Sequence, residues 1–325
     1  MPSYNEESYI EKSIESLIDD YFLDNCELIV ADGMSQDKTR QIIHSFIAKG
    51  FPIRILDNEM RHQSSGLNLA IAEARGEMIV RVDAHCVYPP GYVKKCTDLL
   101  ERTGAANAGG IMLPRGVQTT QKAIALAMQH PMGVGDAKFH LGNFSGYVDT
   151  VYLGTFRKTI FDEIGLFDTR SQTNQDAELN LRILKAGKKI YLDSAIQVTY
   201  FPRESLKKLA VQYFKYGRGR CYTTLKHRRI TSLRQIGPIL LVIILLFSMI
   251  LSFKEPLFLG IPLFYFFVLI LTALLSWRRQ TIPVKQRFLA GIAFFLMHTS
   301  WGIGFLSYLL FRKNLSSKRV ITGNK

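Results

Sequence analysis

Residues 1–200 predict an α/β domain, a mainly parallel sheet with helices on both faces. Residues 236–325 predict a membrane region built from apolar helices. Three observations carry this reading. Strand and helix patterns alternate from Glu27 to His85, as in repeated strand–helix units. Uninterrupted apolar runs begin only after Gln235. Lys and Arg crowd beside those runs.

The elements follow in order. The chain opens on MPSYNEE, which reads as the loop and helix that come after a buried strand, so the first strand of the sheet is expected to be missing. Glu27–Asp32 (ELIVAD) is a short apolar strand ending at Asp-Gly. A helix is expected from Asp37 to Ala48, with Ile42, Ile43, Phe46 and Ile47 on one face. Pro52–Leu56 is the next strand, Ser64–Ala74 a helix stopped by Gly76, and Glu77–His85 (EMIVRVDAH) a further strand. Another helix opens at Asn174 and stops at Gly187. Ligands of such sheets bind beyond the C-terminal strand ends, where Asp32 and Asp83 sit.

Three later segments are candidates to enter a bilayer: Ile236–Phe253, Leu257–Trp277 and Phe288–Phe311. Each approaches or exceeds the ~18–20 apolar residues a hydrocarbon core requires. The first has no polar face, which argues against a soluble core helix. Residues 201–235 are basic and hold one acid, Glu204. Leu206, Leu209, Ala210, Tyr213 and Phe214 share a helical face with Lys207, Lys208 and Lys215 off it, the pattern of an interfacial helix. Positive charge favours the cytoplasmic side, so this segment, the preceding domain and the loop with Arg278, Arg279, Lys285 and Arg287 are expected there. The first two runs then form a hairpin turning near Lys254–Pro256. The third either crosses against that bias, placing Arg312, Lys313, Lys318 and Arg319 outside, or lies in the interface, or re-enters.

The formal net charge of +14 calls for an anionic partner: nucleic acid, lipid headgroups or phosphorylated substrates. The basic residues cluster at the apolar runs and no nucleic-acid motif appears, so nucleic acid is not the expected partner. A transporter needs ionisable groups within its spans, and His298 is the one candidate. The four cysteines form no CxxC pair and no zinc spacing, which points to free thiols. No basic-then-apolar signal opens the chain.

Two constellations carry chemistry. Asp83-Ala84-His85 leaves a strand with two metal-ligand types two residues apart, able to converge on one ion. Asn174-Gln175-Asp176-Ala177-Glu178 places carboxylates in the first turn of a helix. The ordered series P-S-Y-N-E-E, V-A-D-G-M-S-Q-D-K-T, S-S-G-L-N-L-A-I, V-R-V-D-A-H and N-Q-D-A-E-L-N-L-R resembles the inverting nucleotide-diphospho-sugar transferases of glycosyltransferase family 2, over roughly Pro2 to Arg220. Gly109–Gly116, His130–His140 and Gly146–Lys158 look closest to the membrane-bound glucosyltransferases of succinoglycan-type exopolysaccharide assembly.

The resemblance implies a GT-A, Rossmann-like catalytic domain ahead of transmembrane helices in the cell membrane. Pro2, Tyr4 and Glu6 would line the nucleoside pocket and Asp32 would contact the base. Asp83 and His85 would hold Mn²⁺ or Mg²⁺ on the donor diphosphate, His85 standing where a second aspartate is usual and favouring Mn²⁺. Asp176 would be the general base, with Gln175 replacing the usual acid before it. The implied donor is UDP-glucose or another UDP-hexose and the implied acceptor a lipid-linked saccharide. Lys215-Tyr216 departs from the Arg-Trp of processive relatives, which favours addition of one sugar. The alternatives are a synthase acting on polyprenyl phosphate and a silent scaffold that binds nucleotide-sugar without turnover.

Overall fold

The computed structural model describes residues 1–171, 173–229 and 235–321, with side chains through Phe311. Part of the basic stretch, residues 230–234, and the side chains of Arg312, Lys313, Lys318 and Arg319 lie outside the described residues. In chain order the elements are β1 (Pro2–Ser3), α1 (Ile10–Glu15), α2 (Asp20–Asn25), β2 (Leu28–Asp32), α3 (Thr39–Ala48), β3 (Ile53–Asp57), α4 (Gln63–Glu73), β4 (Met78–Val80) and β5 (Cys86–Val87). Then come α5 (Tyr92–Thr103), β6 (Asn107–Pro114), α6 (Thr119–Met128), α7 (Pro131–Val134), α8 (Lys138–Leu141), β7 (Gly146–Tyr147), β8 (Tyr152–Arg157), α9 (Ile160–Ile164), α10 (Gln175–Lys185) and β9 (Ile190–Tyr200). The chain ends in α11 (Leu206–His227), α12 (Ile236–Leu251), a 3₁₀ turn at Pro256–Leu259, α13 (Gly260–Ser276) and α14 (Val284–Ile321).

These elements form two compact units. The first comprises Met1–Pro114 and Ala137–Phe201. Its strands make two sheets. β1, β2 and β3 are parallel, with Pro2 opposite Ala31 and Leu28 opposite Ile53. The second sheet runs β4-β8-β6-β9-β5 with β7 paired to β9, and it is mixed: β6 and β9 are parallel, whereas β8 is antiparallel to β4 and β6. The strand–helix alternation therefore sets the parallel order of the first sheet, while β8, outside that alternation, turns the second sheet mixed. Pro2 and Ser3, expected in a loop, form a strand instead: Ala31 N–H donates to Met1 O and Gly33 N–H to Ser3 O, both at 2.8 Å. A cavity of about 690 Å³ lies against Leu28 and Ile29 of β2 and Met78–Val80 of β4. The apolar core joins Leu67 and Ile71 of α4 to Phe156, Phe161, Leu179, Ile183 and Leu192.

The second unit comprises Arg115–Asp136 and Pro202–Lys325. Pro256–Ser276 and Val284–Phe311 are long and apolar enough to cross a membrane. α12, at 16 residues, is ~24 Å long, short of a ~30 Å hydrocarbon core by itself. Phe247, Ile250, Leu263, Phe264 and Phe267 are all exposed, an apolar surface that water does not tolerate over such an area. The apolar face predicted for 206–214 packs in part within this unit, with Leu209 and Tyr213 buried. Glycines bring α11 and α14 together. A Cβ on Gly217 would stand 2.0 Å from Trp301 O, and one on Gly304 would stand 2.1 Å from Phe214 O.

Candidate active site

β2 delivers Asp32 to the end of the parallel sheet, fully buried. Its carboxylate accepts from Ser3 Oγ (3.0 Å), Ser35 N (2.9 Å), Ser35 Oγ (2.6 Å) and Arg40 Nη1 (3.1 Å). Arg40 also donates to Asp57 at the end of β3, 2.7 Å away. Both acids and burial act on Arg40: the Asp57 hydrogen bond leads, and the balance raises the guanidinium above its ordinary value. Gly33 follows because a Cβ there would crowd Ser3 O and the Tyr4 side chain at 3.3 Å. Pro2 pairs with Ala31 in the ladder, and Tyr4 is exposed.

The stretch after β4 was expected to remain a strand as far as His85. It leaves the ladder at Val80, where pairing with β8 ends at Thr155. Tyr88 then grips the chain: its hydroxyl donates to Asp83 O (2.8 Å) and accepts from Asp83 N (2.7 Å). Ser13 Oγ also donates to Asp83 O. These bonds turn the backbone and fix the Asp83 side chain, which is buried. Arg81 lies against it, with Nη2 3.3 Å from both carboxylate oxygens, and Gln63 Nε2 donates to Oδ1 at 3.3 Å. His85 turns toward Glu6, whose carboxylate oxygen is 3.1 Å from Nδ1. That contact favours a proton on Nδ1 and a lone pair on Nε2, the form in which imidazole binds metals.

α10 brings the last member. Asn174, at φ +58°, turns the chain into the helix, and Asp176 stands in its first turn, about half exposed. The helix cannot slide. Glu178, fully buried, pairs with Arg182 at 2.9 Å, and Arg182 also donates to the carbonyls of Ile164, Gly165 and Leu166. Asn180 accepts from Asn107 Nδ2 (2.7 Å) and donates to Thr150 (2.9 Å). Asp176 Oδ2 is 3.8 Å from Arg81 Nη1. Gln175, buried beside it, donates to Gln63 Oε1 at 2.5 Å. Burial pulls the Arg81 guanidinium down, but Asp83 and then Asp176 outweigh it and hold it above its ordinary value.

The structure thus joins Asp83 and Asp176 through Arg81, pairs His85, just beyond Asp83 in the chain, with Glu6, and seats Asp32 in a separate cluster with Ser3, Ser35 and Arg40. Sequence reasoning missed Arg81 and Gln63. An arginine inside VRVD, in a run expected to be buried, was the available signal, because a buried guanidinium requires carboxylate partners. Gln63 carried no such mark. Nearby Cys86 is no nucleophile: burial pushes its thiol up and keeps it protonated.

Among the described residues, no group of three or more His, Cys, Asp or Glu side chains gathers to hold a metal. One carboxylate and one imidazole, Asp83 and His85, are a donor pair suited to Mn²⁺, provided that oxygens of a bound ligand complete the shell. Glu6 supplies the partner on the far ring nitrogen that metal-binding histidines usually have. In donor type this pair fits a divalent ion, with the Asp83 carboxylate held by Arg81 and Gln63.

Residues 1–165 match the family described as glycosyl transferase family 2. The chain is 36% identical over 241 residues to the succinoglycan biosynthesis protein ExoA of Rhizobium meliloti (strain 1021), covering 74% of this chain and 73% of that protein. It is 31% identical over 226 residues to the dolichyl N-acetyl-alpha-D-glucosaminyl phosphate 3-beta-D-2,3-diacetamido-2,3-dideoxy-beta-D-glucuronosyltransferase of Methanococcus voltae, covering 67% of this chain and 70% of that one. In fold it is similar to the mannosyltransferase PcManGT of Pyrobaculum calidifontis, solved in complex with GDP-Man and Mn²⁺. That match has a TM-score of 0.59 and 16% identity, and covers 95% of this chain and 85% of that one. With its leading half matched and two relatives above 30% identity over two thirds of the chain or more, this chain belongs to glycosyltransferase family 2 and is a glycosyltransferase enzyme.

Proposed function

We propose that this enzyme moves one hexose, from UDP-glucose or another UDP-hexose, to a lipid-linked saccharide, with inversion at the anomeric carbon, in exopolysaccharide or cell-surface glycan assembly. The observation that supports this is the convergence of Asp176 and Asp83 on Arg81, the proximity expected of a carboxylate base and a donor-holding residue. Support for the acceptor class comes from the names of the relatives, one in succinoglycan biosynthesis and one acting on a dolichyl-linked sugar phosphate. The two long apolar helices and the basic residues 201–235 support a multi-pass membrane protein with its catalytic domain on the cytoplasmic side.

Asp176, exposed at a helix start, accepts the proton of the acceptor hydroxyl as the hydroxyl attacks and the bond to the diphosphate breaks. Asp83 and His85 hold the donor end. A divalent ion bound there, Mn²⁺ or Mg²⁺, would supply positive charge to the departing diphosphate. Exposed Tyr4, next to Pro2 and Ser3 of β1, offers a face for the nucleoside, and Asp32 lies buried beneath, bonded to Ser3. Family membership favours an enzyme over a silent scaffold, and Gln175 is part of a hydrogen-bonded chain running through Gln63 to Asp83.

The test uses membranes that contain the full chain, UDP- and GDP-sugar donors with and without Mn²⁺, and the Asp176→Asn variant. Nucleotide diphosphate release and lipid products on thin-layer chromatography are followed. Metal-dependent turnover of one UDP-hexose into an extended lipid-linked saccharide is expected, falling about 10²–10⁴-fold in the variant. Unchanged activity in Asp176→Asn removes the assigned base. A monosaccharide phospholipid as the product shifts the acceptor to polyprenyl phosphate.

A further inference from the structure

We propose that Arg81 is a positioning residue of the transfer reaction: one buried guanidinium ties the base carboxylate of Asp176 to the donor-holding carboxylate of Asp83, fixing the two ends of the displacement relative to each other. The inference rests on the function proposed above and adds to it a residue whose own atoms take no part in bond making.

Arg81 is 7% exposed, so its charge has to be met inside the protein. Two carboxylates meet it from different elements. Asp83 takes Nε and Nη2 at 3.3 Å, from the turn two residues on. Asp176 faces Nη1 at 3.8 Å from the first turn of α10, 95 positions along the chain. The fork geometry makes this possible, since a planar guanidinium presents donors along two edges at once and an ammonium does not. A second link runs alongside: Gln175 donates to Gln63, and Gln63 donates to Asp83. The start of α10 is therefore tied to the same carboxylate twice, once by charge and once by neutral amides.

The two links do different work. The amide chain ends on Gln175, whose side chain is buried against Gln63. Arg81 ends on Asp176 itself, the carboxylate that must meet the hydroxyl. In an inverting displacement the base and the leaving group lie on opposite sides of one carbon, so their separation has to be held closely. A misplacement of ~1 Å costs roughly 10²-fold in rate. Arg81 holds the two carboxylates at a set spacing before any ligand arrives.

A residue that acts through Asp176 has a distinctive signature: it loses its effect once that carboxylate is gone. The experiment compares the full-length wild type with Arg81→Lys, Arg81→Met, Asp176→Asn and the double variant Arg81→Met/Asp176→Asn, in membranes supplied with Mn²⁺ and the best donor. Turnover is read as kcat and donor KM separately, and donor binding is read by displacement of a labelled nucleotide. The expected result is a kcat loss of roughly 10–100-fold in Arg81→Met, with donor binding within about three-fold of wild type. Arg81→Lys should recover part of the loss, and the double variant should be no slower than Asp176→Asn. The proposal is overturned if Arg81→Met keeps wild-type kcat, if its loss lies wholly in donor binding, or if the two losses multiply in the double variant. Should Arg81→Met fail to accumulate in membranes, Arg81→Lys alone decides by the same split and the same cycle. Failure of the functional reading looks different: the wild type then turns over no donor, or Asp176→Asn stays fully active.

Discussion

Asp32 ties the ends of β1 and β2 to the loop that follows, and its replacement by alanine can be worked through in numbers. The carboxylate is fully buried and accepts four hydrogen bonds, from Ser3 Oγ, Ser35 N, Ser35 Oγ and Arg40 Nη1. Removing it strands the buried Ser3 hydroxyl and the Ser35 backbone N–H, at ~1–3 kcal/mol for each unsatisfied group. Arg40 contributes little to the cost, because its side chain is about a third exposed and it keeps Asp57. The sum is ~2–6 kcal/mol, a large share of the ~5–15 kcal/mol that holds a domain together. Asparagine keeps the shape and one carbonyl acceptor, so Asp32→Asn should cost only ~1–2 kcal/mol. Pulse proteolysis across a urea series, on protein purified in detergent, measures both. The reasoning fails if Asp32→Ala loses under about 1 kcal/mol or if the two variants are equally destabilised.

Three further outcomes are expected. Glu6→Gln weakens the partner of His85 Nδ1, so the Mn²⁺ concentration for half-maximal transfer should rise ~10-fold or more, the usual effect of losing such a partner; an unchanged metal titration would contradict that role for Glu6. Gly217→Ala puts a methyl 2.0 Å from a backbone carbonyl, and the overpacking should cost ~1–3 kcal/mol, read as a lower melting temperature. Of the four cysteines, Cys86, Cys96 and Cys221 are buried, and burial pushes the Cys96 thiol up to about 12. Native protein should therefore take up about one maleimide, at Cys26. Partial burial and then Asp19 raise that thiol too, so labelling should be slow near neutrality and quicken as pH rises and the thiolate forms; mass spectrometry of the labelled peptides decides.

Much of this was legible in the sequence because the signals were periodic or terminal. β2, α3 and α4 follow directly from apolar spacing and glycine stops. Asp32 stood out as a strand-end acid before glycine. The mixed second sheet was not legible, because its pairings β4–β8 and β6–β9 join segments far apart in the chain, and nothing local in Tyr152–Arg157 sets the direction of β8. The early end of β4 was not legible either: Glu77–His85 reads as one strand, but the ladder stops at Val80, before the turn that Tyr88 and Ser13 hold at Asp83. Within the site, residue types were readable and connections were not. Glu6 was placed by resemblance near the nucleoside, whereas its carboxylate stands on His85, a neighbour 79 positions away. Arg81 looks like any strand residue until Asp176 arrives from another element.

The glycine contacts between α11 and α14 bear on how this protein is best handled outside its membrane. Where Gly217 meets Trp301 and Gly304 meets Phe214, one helix backbone lies against the other, with no side chain between them. Such a contact draws on van der Waals packing rather than on the expulsion of water, and it works as well among acyl chains as in an aqueous medium. Swapping lipid for detergent leaves that packing nearly untouched. The α11–α14 pair should therefore survive extraction as a unit, and mild detergents that spare α12 and α13, with their exposed Phe247, Ile250, Phe264 and Phe267, are the ones to screen first.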